Sequence, residues 1–344
     1  MKLNMIISAS ERRHIVHVCC FVIFIFLFET IAGGIDVYPF NILSSNIIIV
    51  IADPIEHYGL FLTFVIYFVR LLSLLPFPLV ACHTCGLLLY NIFPEQPKLH
   101  SSPLLGPKIR IRVVTRGDYP ELVHDNVEKN LETCDKVGLA NFHLEIVTDK
   151  EINLQGLSLS RVRQVIVPPT YRTKTGALYK SRALQYALEP DVNQLAPDDY
   201  IVHLDEETLL TENAVRGILN FVSANEYDIG QGLITYANGR IVNHMTTLAD
   251  SIRVGVDLGC LRFCLKKLHR PPFLFKGSFV VCRAACEFEV TFDNGRAGSI
   301  AEDTYFAMSA MSKNKKFGWI EGKRENKLCS TFFVQTVTND LLIF

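Results

Sequence analysis

The sequence predicts an α/β domain built on a mainly parallel, doubly wound sheet and preceded by transmembrane helices. From Ile109 onward, apolar β-branched runs alternate with amphipathic helical patterns, the order that builds parallel β-α-β units. Charge is sparse in the first third, where Arg70 is the only Lys or Arg between His14 and Pro97. The mean hydropathy of +0.23 is high for an ordinary soluble domain, and the excess sits in that third. Lys plus Arg (34) nearly cancels Asp plus Glu (35), which argues against a nucleic-acid partner held by overall charge.

Ile15–Ile31 follows Arg12, Arg13 and His14 and is about one bilayer long as a helix. No small-residue cleavage site follows it, so an uncleaved transmembrane helix is expected. A second apolar region, Tyr58–Phe93, accommodates one kinked span or two short ones, with Pro76 and Pro78 at the break and Arg70 snorkelling or facing a partner helix. The run Asn46–Ala52 reads as interfacial or buried. The expected organisation is a membrane anchor of two or three transmembrane helices over 1–97, a globular domain over 98–322 and a divergent tail over 323–344. The ten cysteines are scattered and suggest no disulfide framework; Cys82-His83-Thr84-Cys85 has zinc-like spacing but no second ligand pair. No Asn-x-Ser/Thr sequon occurs. With Arg12 and Arg13 ahead of the first span, this favours a cytosolic globular domain.

Within that domain, Ile109–Val114 reads as a strand. Asp118-x-x-Glu121 then reads as a capping box ahead of a helix carrying Val123, Val127, Leu131 and Cys134, with Gly138 as its C-cap. Phe142–Thr148 and Val165–Val167 read as strands, Ser181–Leu188 as a helix, and Tyr200–Leu204 as a strand followed by a helix from Thr211. Ligands of such sheets bind beyond the strands' carboxyl ends, where Thr115, Asp149 and Asp205 fall.

Asp205-Glu206-Glu207, directly after an apolar strand, places carboxylates where a divalent cation and a diphosphate can meet. Lys174, Lys180 and Arg182 form a basic cluster suited to phosphates. Gly277-Ser278 permits close backbone approach, and Ala301-Glu302-Asp303 opens a helix. Alone, each of these is an ordinary turn, cap or solvated face.

Taken in order, they resemble the family 2 glycosyltransferases, inverting enzymes with the GT-A nucleotide-sugar fold. The family's first aspartate matches Asp149. Its Lys-x-Arg-Ala-Leu-Asn segment matches Lys180-Ser-Arg182-Ala183-Leu184-Gln185, and its Asp-x-Asp motif matches Asp205-Glu206-Glu207. Its Gly-Ser motif matches Gly277-Ser278, and its Thr-Glu-Asp motif matches Ala301-Glu302-Asp303. Longer stretches such as VVTRGDYPELV, TKTGALYKSRALQYALE and GQGLITYAN look like the invertebrate β1,4-mannosyltransferases of glycosphingolipid synthesis.

The resemblance implies mannose transfer from GDP-mannose to a glucosylceramide-type glycolipid, at an endoplasmic reticulum or Golgi membrane. It implies Asp303 as the catalytic base, Asp205 and Glu207 as ligands of Mn²⁺ or Mg²⁺, and Thr115, Arg116, Asp149, Lys180, Arg182, Asp205, Gly277, Ser278 and Glu302 as donor-binding residues. The family's Gln-x-x-Arg-Trp motif is not found after Gly322, and Trp319 is the only tryptophan, so weak or absent turnover is expected. Two rival readings share these motifs. One is a membrane glycosyltransferase using a UDP-sugar for polysaccharide or lipid; the other is a catalytically dead membrane protein that binds a nucleotide-sugar.

Overall fold

Runs of apolar and β-branched residues pair into the sheet that carries the site, and the helices between them cover its two faces. The computed structural model describes residues 8–31, 54–72, 74–93, 96–236 and 244–326. They belong to two compact units, Met1–Glu95 and Gln96–Phe344.

The first unit contains α1 (Ala9–Ile31), α2 (Pro54–Leu72) and α3 (Phe77–Leu89). Helix α1 and the run Pro54–Leu89 are long and apolar enough to cross a membrane. The second run breaks between Leu72 and Phe77, where Pro76 withdraws a backbone donor, and Pro78 sits in the first turn of α3. The stretch Asn46–Ala52 lies outside the described residues.

The second unit contains β1 (Ile109–Thr115), α4 (Pro120–Val137), β2 (Phe142–Thr148), β3 (Val162–Ile166), α5 (Tyr179–Tyr186), β4 (Tyr200–Asp205), β5 (Thr208–Leu209) and α6 (Glu212–Ala224). There follow β6 (Ile229–Tyr236), α7 (His244–Val256), β7 (Val280–Arg283), α8 (Ala284–Val290), α9 (Gly295–Gly298), α10 (Glu302–Ser312) and β8 (Phe317–Asn326). Wider π-helical turns continue α7 to Leu268. Among the described residues the sheet has eight strands in the order β3-β2-β1-β4-β7-β6-β8-β5. The first four are parallel, as expected. Beyond β4 the sheet is mixed: β7 runs antiparallel to β4 and β6, and β5 antiparallel to β8. Helices α4 and α6 pack Val127, Leu131, Val215 and Ile218 on one face. Helices α5, α8 and α10 pack Leu184, Val290 and Phe306 on the other.

Two local expectations change. Helix α4 has no side-chain cap; Tyr119 is its N-cap and Pro120 opens it. Proline brings no N–H to be capped, and Asp118 instead pairs with Lys150 at 2.5 Å. The run after Gly322 is expected as a divergent tail beyond the domain. Its first four residues instead extend β8, pairing Lys323 to Asn326 with Leu233 to Tyr236; the rest of the 323–344 tail lies outside the described residues.

A row of charges crosses the sheet on the α8 side. Arg112 stands in register with Glu145 on β2 and His203 on β4, and Glu287 of α8 closes the row from above. Arg112 and Glu287 are both 0% exposed. Arg112 donates to Glu145 (2.7 Å) and to Glu287 (2.6 Å), and His203 Nε2 lies 2.5 Å from the second Glu287 oxygen. Burial alone would raise both carboxyls. The facing His203 and Arg112 outweigh it at Glu287, and Arg112, Arg163 and Arg110 outweigh it at Glu145, so both stay below the ordinary value.

Removing Glu287 leaves buried Arg112 with Glu145 alone and takes away the partner of His203 Nε2. Glu287→Ala should therefore lower stability by about 3–5 kcal/mol in thermal or denaturant unfolding. Because the carboxyls are depressed in the folded state, their contribution is fully present above the ordinary carboxylate pKa of about 4.3 and disappears as pH falls through the lower native values. An unfolding profile unchanged by Glu287→Ala would remove this row from the stability of the domain.

Candidate active site

Four separate motifs meet beyond the carboxyl ends of β1 and β4. Strand β1 ends at Thr115, whose hydroxyl donates to Glu206 and accepts the Gly117 N–H at 2.9 Å. Strand β4 ends at Asp205. The loop after it is held from α4, where Asn126 donates to the Glu206 carbonyl (2.9 Å) and Asn130 donates to the Thr208 carbonyl (2.9 Å) while accepting the Leu210 N–H (2.7 Å). Burial pushes the Glu206 carboxyl up, Asp118 and Asp205 add to this, and the Thr115 hydroxyl opposes it.

Lys180, in the first turn of α5, ties the strand end to the later motifs. Its ammonium donates to Asp205 Oδ1 at 2.6 Å and to the Gly277 carbonyl at 3.4 Å, and lies 3.3 Å from Glu302 Oε1. Burial works against this charge, but Asp205 and Glu302 outweigh it and hold the ammonium protonated above its ordinary range. Ser278 Oγ accepts the Asp205 N–H at 2.9 Å. A Cβ on Gly277 would stand 3.2 Å from both Glu302 Oε1 and Lys180 Nζ and 3.4 Å from the Asp303 Cβ, so a side chain there would crowd the junction. Asp303 lies in the first turn of α10, its Oδ1 accepting the Thr304 N–H at 2.7 Å.

A cavity of about 470 Å³ opens over this junction, lined by Thr115, Arg116, Asp118, Asp149, Tyr179, Lys180, Asp205, Glu206 and Glu207 among others. That volume suits a drug-sized or nucleotide ligand. Asp149 pairs with Arg182, which also donates to the Pro168 carbonyl at 3.2 Å. Asp149, Arg172, Tyr179 and Arg182 line a second cavity of about 420 Å³. Gly277, Glu302 and Asp303 border a recess of about 20 Å³ that shares Lys180 with the main cavity. Of the expected site residues, Thr115, Arg116, Asp149, Lys180, Asp205 and Glu207 line the main cavity and Gly277, Glu302 and Asp303 the recess, while the basic cluster is divided. Lys180 faces carboxylates, Arg182 braces Asp149, and exposed Lys174 lines none of these three cavities.

Among the described residues no group of three or more His, Cys, Asp or Glu side chains is placed to hold a metal ion, Cys82 and Cys85 included. Asp205 and Glu207 supply two hard oxygen ligands on the cavity wall, a set that fits Mg²⁺ or Mn²⁺ when a diphosphate completes the coordination. Acids outnumber bases on that wall.

Sequence reasoning had passed over several residues. Asn126 and Asn130 interrupt the apolar stripe of α4 one turn apart, a legible signal of a buried polar role. Tyr179 holds a left-handed backbone, φ 51°, with its ring under the Arg116 guanidinium at 5.8 Å; nothing in the sequence marks it. Gln231, fully buried on β6, clamps the residue before Gly277: its amide donates to the Lys276 carbonyl at 2.9 Å and accepts the Lys276 N–H at 3.3 Å. The Lys276 ammonium pairs with buried Asp257, whose carboxyl burial pushes up to about 6 against that ammonium.

Residues 200–339 match the model of the family described as glycosyl transferase family group 2. The chain is 50% identical over 318 residues to the β1,4-mannosyltransferase egh of Drosophila melanogaster, covering 92% of this chain and 68% of that protein. It is 47% identical over 317 residues to the β1,4-mannosyltransferase bre-3 of Caenorhabditis elegans, again covering 92% and 68%. The chain belongs to the β1,4-mannosyltransferase family of glycosyltransferases. Among solved structures it is similar to the mannosyltransferase PcManGT of Pyrobaculum calidifontis in complex with GDP-Man and Mn²⁺, with TM-score 0.44 and 14% identity over 73% of this chain and 67% of that one. It is also similar to S. aureus TarS 1–349, with TM-score 0.40 and 15% identity over 64% and 60%. This mannosyltransferase-family chain is an enzyme of the glycosyltransferase class on a mixed α/β sheet.

The Gln231 clamp generates a test. Gln231→Leu leaves the Lys276 N–H and carbonyl without their buried partners, and a loss of about 1.4 kcal/mol in loop positioning is a tenfold change in affinity. Affinity for the nucleotide-sugar donor should weaken roughly tenfold in calorimetry while unfolding stays cooperative. Unchanged affinity would mean the Gly277-Ser278 turn holds its shape without the clamp.

Proposed function

We propose that the chain transfers mannose, with inversion, from GDP-mannose to a glucosylceramide-type glycolipid at a membrane surface of the endoplasmic reticulum or Golgi. The observation that carries this reading is the Lys180 junction, which joins Asp205, Gly277 and Glu302 beside Asp303 in a chain half identical to β1,4-mannosyltransferases.

The roles follow from position. Asp149, braced by Arg182, takes the nucleoside end of the donor, with Thr115 and Arg116 on the facing wall. Asp205 and Glu207 hold Mn²⁺ or Mg²⁺, which when bound neutralises the leaving diphosphate. Lys180 keeps Asp205 and Glu302 in place and adds positive charge beside the phosphates. The Gly277-Ser278 backbone lets the sugar approach closely, while Ser278 fixes the Asp205 backbone. Asp303, oriented by Thr304, takes the proton of the acceptor hydroxyl as that oxygen attacks the anomeric carbon and the bond to GDP breaks. Trp319 is packed in the core beneath the Arg262 guanidinium at 5.8 Å, so in this reading aromatic contacts to the acceptor come from other residues.

Purified full chain in lipid nanodiscs, given Mn²⁺, GDP-mannose and glucosylceramide, should form a mannosylated lipid slowly, as expected of a sequence without Gln-x-x-Arg-Trp; UDP-sugars should not substitute. Asp205→Asn should abolish the Mn²⁺ dependence of GDP binding in calorimetry. Asp303→Asn should leave GDP binding intact and lower turnover by ~10²–10⁴-fold. Cation-independent GDP affinity in the parent chain would overturn the metal assignment, and GDP binding without turnover would favour a silent nucleotide-sugar binder.

Two spans, with Arg12 and Arg13 keeping the amino terminus cytosolic, return Gln96–Phe344 to the cytosolic side. Protease added outside sealed microsomes should digest that unit; full protection would place it in the lumen.

A further inference from the structure

Helix α7 presents its apolar face outward. Met245, Leu248 and Ile252 are 74%, 57% and 60% exposed, and Ala249 between them is exposed as well. At helical spacing these four residues share an arc about 100° wide. Thr246, Thr247, Asp250 and Val254, on the opposite side, are the less exposed residues. An amphipathic helix of a water-surrounded domain has the reverse arrangement. No acid lies on the apolar arc. Asp250, off it, pairs with Arg253 at 3.7 Å, and the half-exposed Arg253 side chain stands at the arc's edge.

The occupant is indicated by the rest of the chain. Helix α1 and the run Pro54–Leu89 are long and apolar enough to span a bilayer. From Leu89 to Gln96 the backbone reaches at most about 25 Å when fully extended. A unit tethered that closely to spanning helices works at the lipid surface. An outward arc of Met, Leu, Ala and Ile edged by an arginine matches acyl chains beneath anionic headgroups.

We propose that α7 lies in the headgroup boundary of a lipid bilayer, with Met245, Leu248, Ala249 and Ile252 among the acyl chains and Arg253 at phosphate level. This rests on the membrane reading of α1 to α3. It also relates the bilayer to the site, because the helical run from α7 carries Asp257, which grips Lys276 next to Gly277. A lipid acceptor held in the same leaflet would then meet the Gly277-Ser278 turn without leaving the membrane surface.

The single tryptophan makes the test direct, since Trp319 is 9% exposed and constant in every variant. Leu248→Trp and Ile252→Trp are made separately in the full chain and reconstituted into phosphatidylcholine–phosphatidylserine vesicles. Emission is compared with and without brominated acyl chains. Phe24→Trp on α1 reports the spanning reading, and Glu132→Trp on α4 reports an aqueous surface.

The expected result is roughly twofold quenching by brominated lipid at 24, 248 and 252, and none at 132. Quenching at 24 with both α7 positions matching 132 overturns the proposal and leaves the anchor intact. No quenching at 24 overturns the membrane reading and this inference with it. Blue-shifted but unquenched emission at 248 and 252 means that protein, such as a second copy of the chain, covers the face, which also overturns the bilayer. Because the two α7 positions are read independently, loss of one variant to misfolding still leaves a decision.

Discussion

The constraint on which the domain rests is the requirement that Arg112, buried at the centre of the sheet, be neutralised in place. A guanidinium with no solvent access carries a large desolvation cost unless its donors meet carboxylates in good geometry. Glu145 and Glu287 meet it from two directions. One comes from the neighbouring strand in register and the other from α8, so β1, β2 and α8 are locked to each other. His203 brings β4 into the same row through Glu287. A slip of one residue along β1 would turn Arg112 to the other face and leave two carboxylates unpaired. Charge pairing therefore sets the register of the strands that carry the site.

From that register the site follows. His203 sits two residues before Asp205, and its carbonyl accepts the Phe279 N–H at 2.8 Å. The row that fixes β4 therefore also fixes the Gly277-Ser278 turn beside it. Lys180 then joins what the backbone has brought near. One ammonium serves Asp205, Glu302 and the Gly277 carbonyl, which no single carboxylate-to-carboxylate contact could do without repulsion. Part of the support beneath is neutral: Asn126, Asn130 and Gln231 hold loops through side-chain amide hydrogen bonds that need no counter-charge.

The far side of the sheet is closed by backbone proximity. Helix α6 lies so near β8 that a Cβ on Gly217 would overlap the Glu321 carbonyl oxygen at 1.6 Å, and one on Gly322 would approach the Asn213 carbonyl oxygen at 2.2 Å. Glu321 and Gly322 are the extra residues where β8 shifts register against β6. This bulge lets β8 pass under α6 and resume pairing through Asn326.

Apolar strands punctuated by acids were legible because a buried parallel strand must be apolar along its length and its ligand end must be polar. Thr115, Asp149 and Asp205 could be read that way, as could the C-cap at Gly138 and the helix starting near Thr211, whose side chain accepts the Ala214 N–H at 3.1 Å. The kink near Pro76 and the outline of the motif set were equally local. What the linear chain concealed was partnership. Arg110 and Arg112 alternate with isoleucines as they would on a solvated face, yet both are buried, because the glutamates that neutralise them come from other elements. The charged residues after Gly322 carry no apolar period, yet they extend β8 because strand pairing is made by backbone groups common to every sequence. Lys180 meets Asp205 and Gly277 only after three elements have packed. By itself the sequence determined the elements, their order and the acid-bearing strand ends, since these depend on neighbours along the chain. Only the tertiary structure decided which charges neutralise which, because pairing energy depends on distance in space and on the water excluded around each pair.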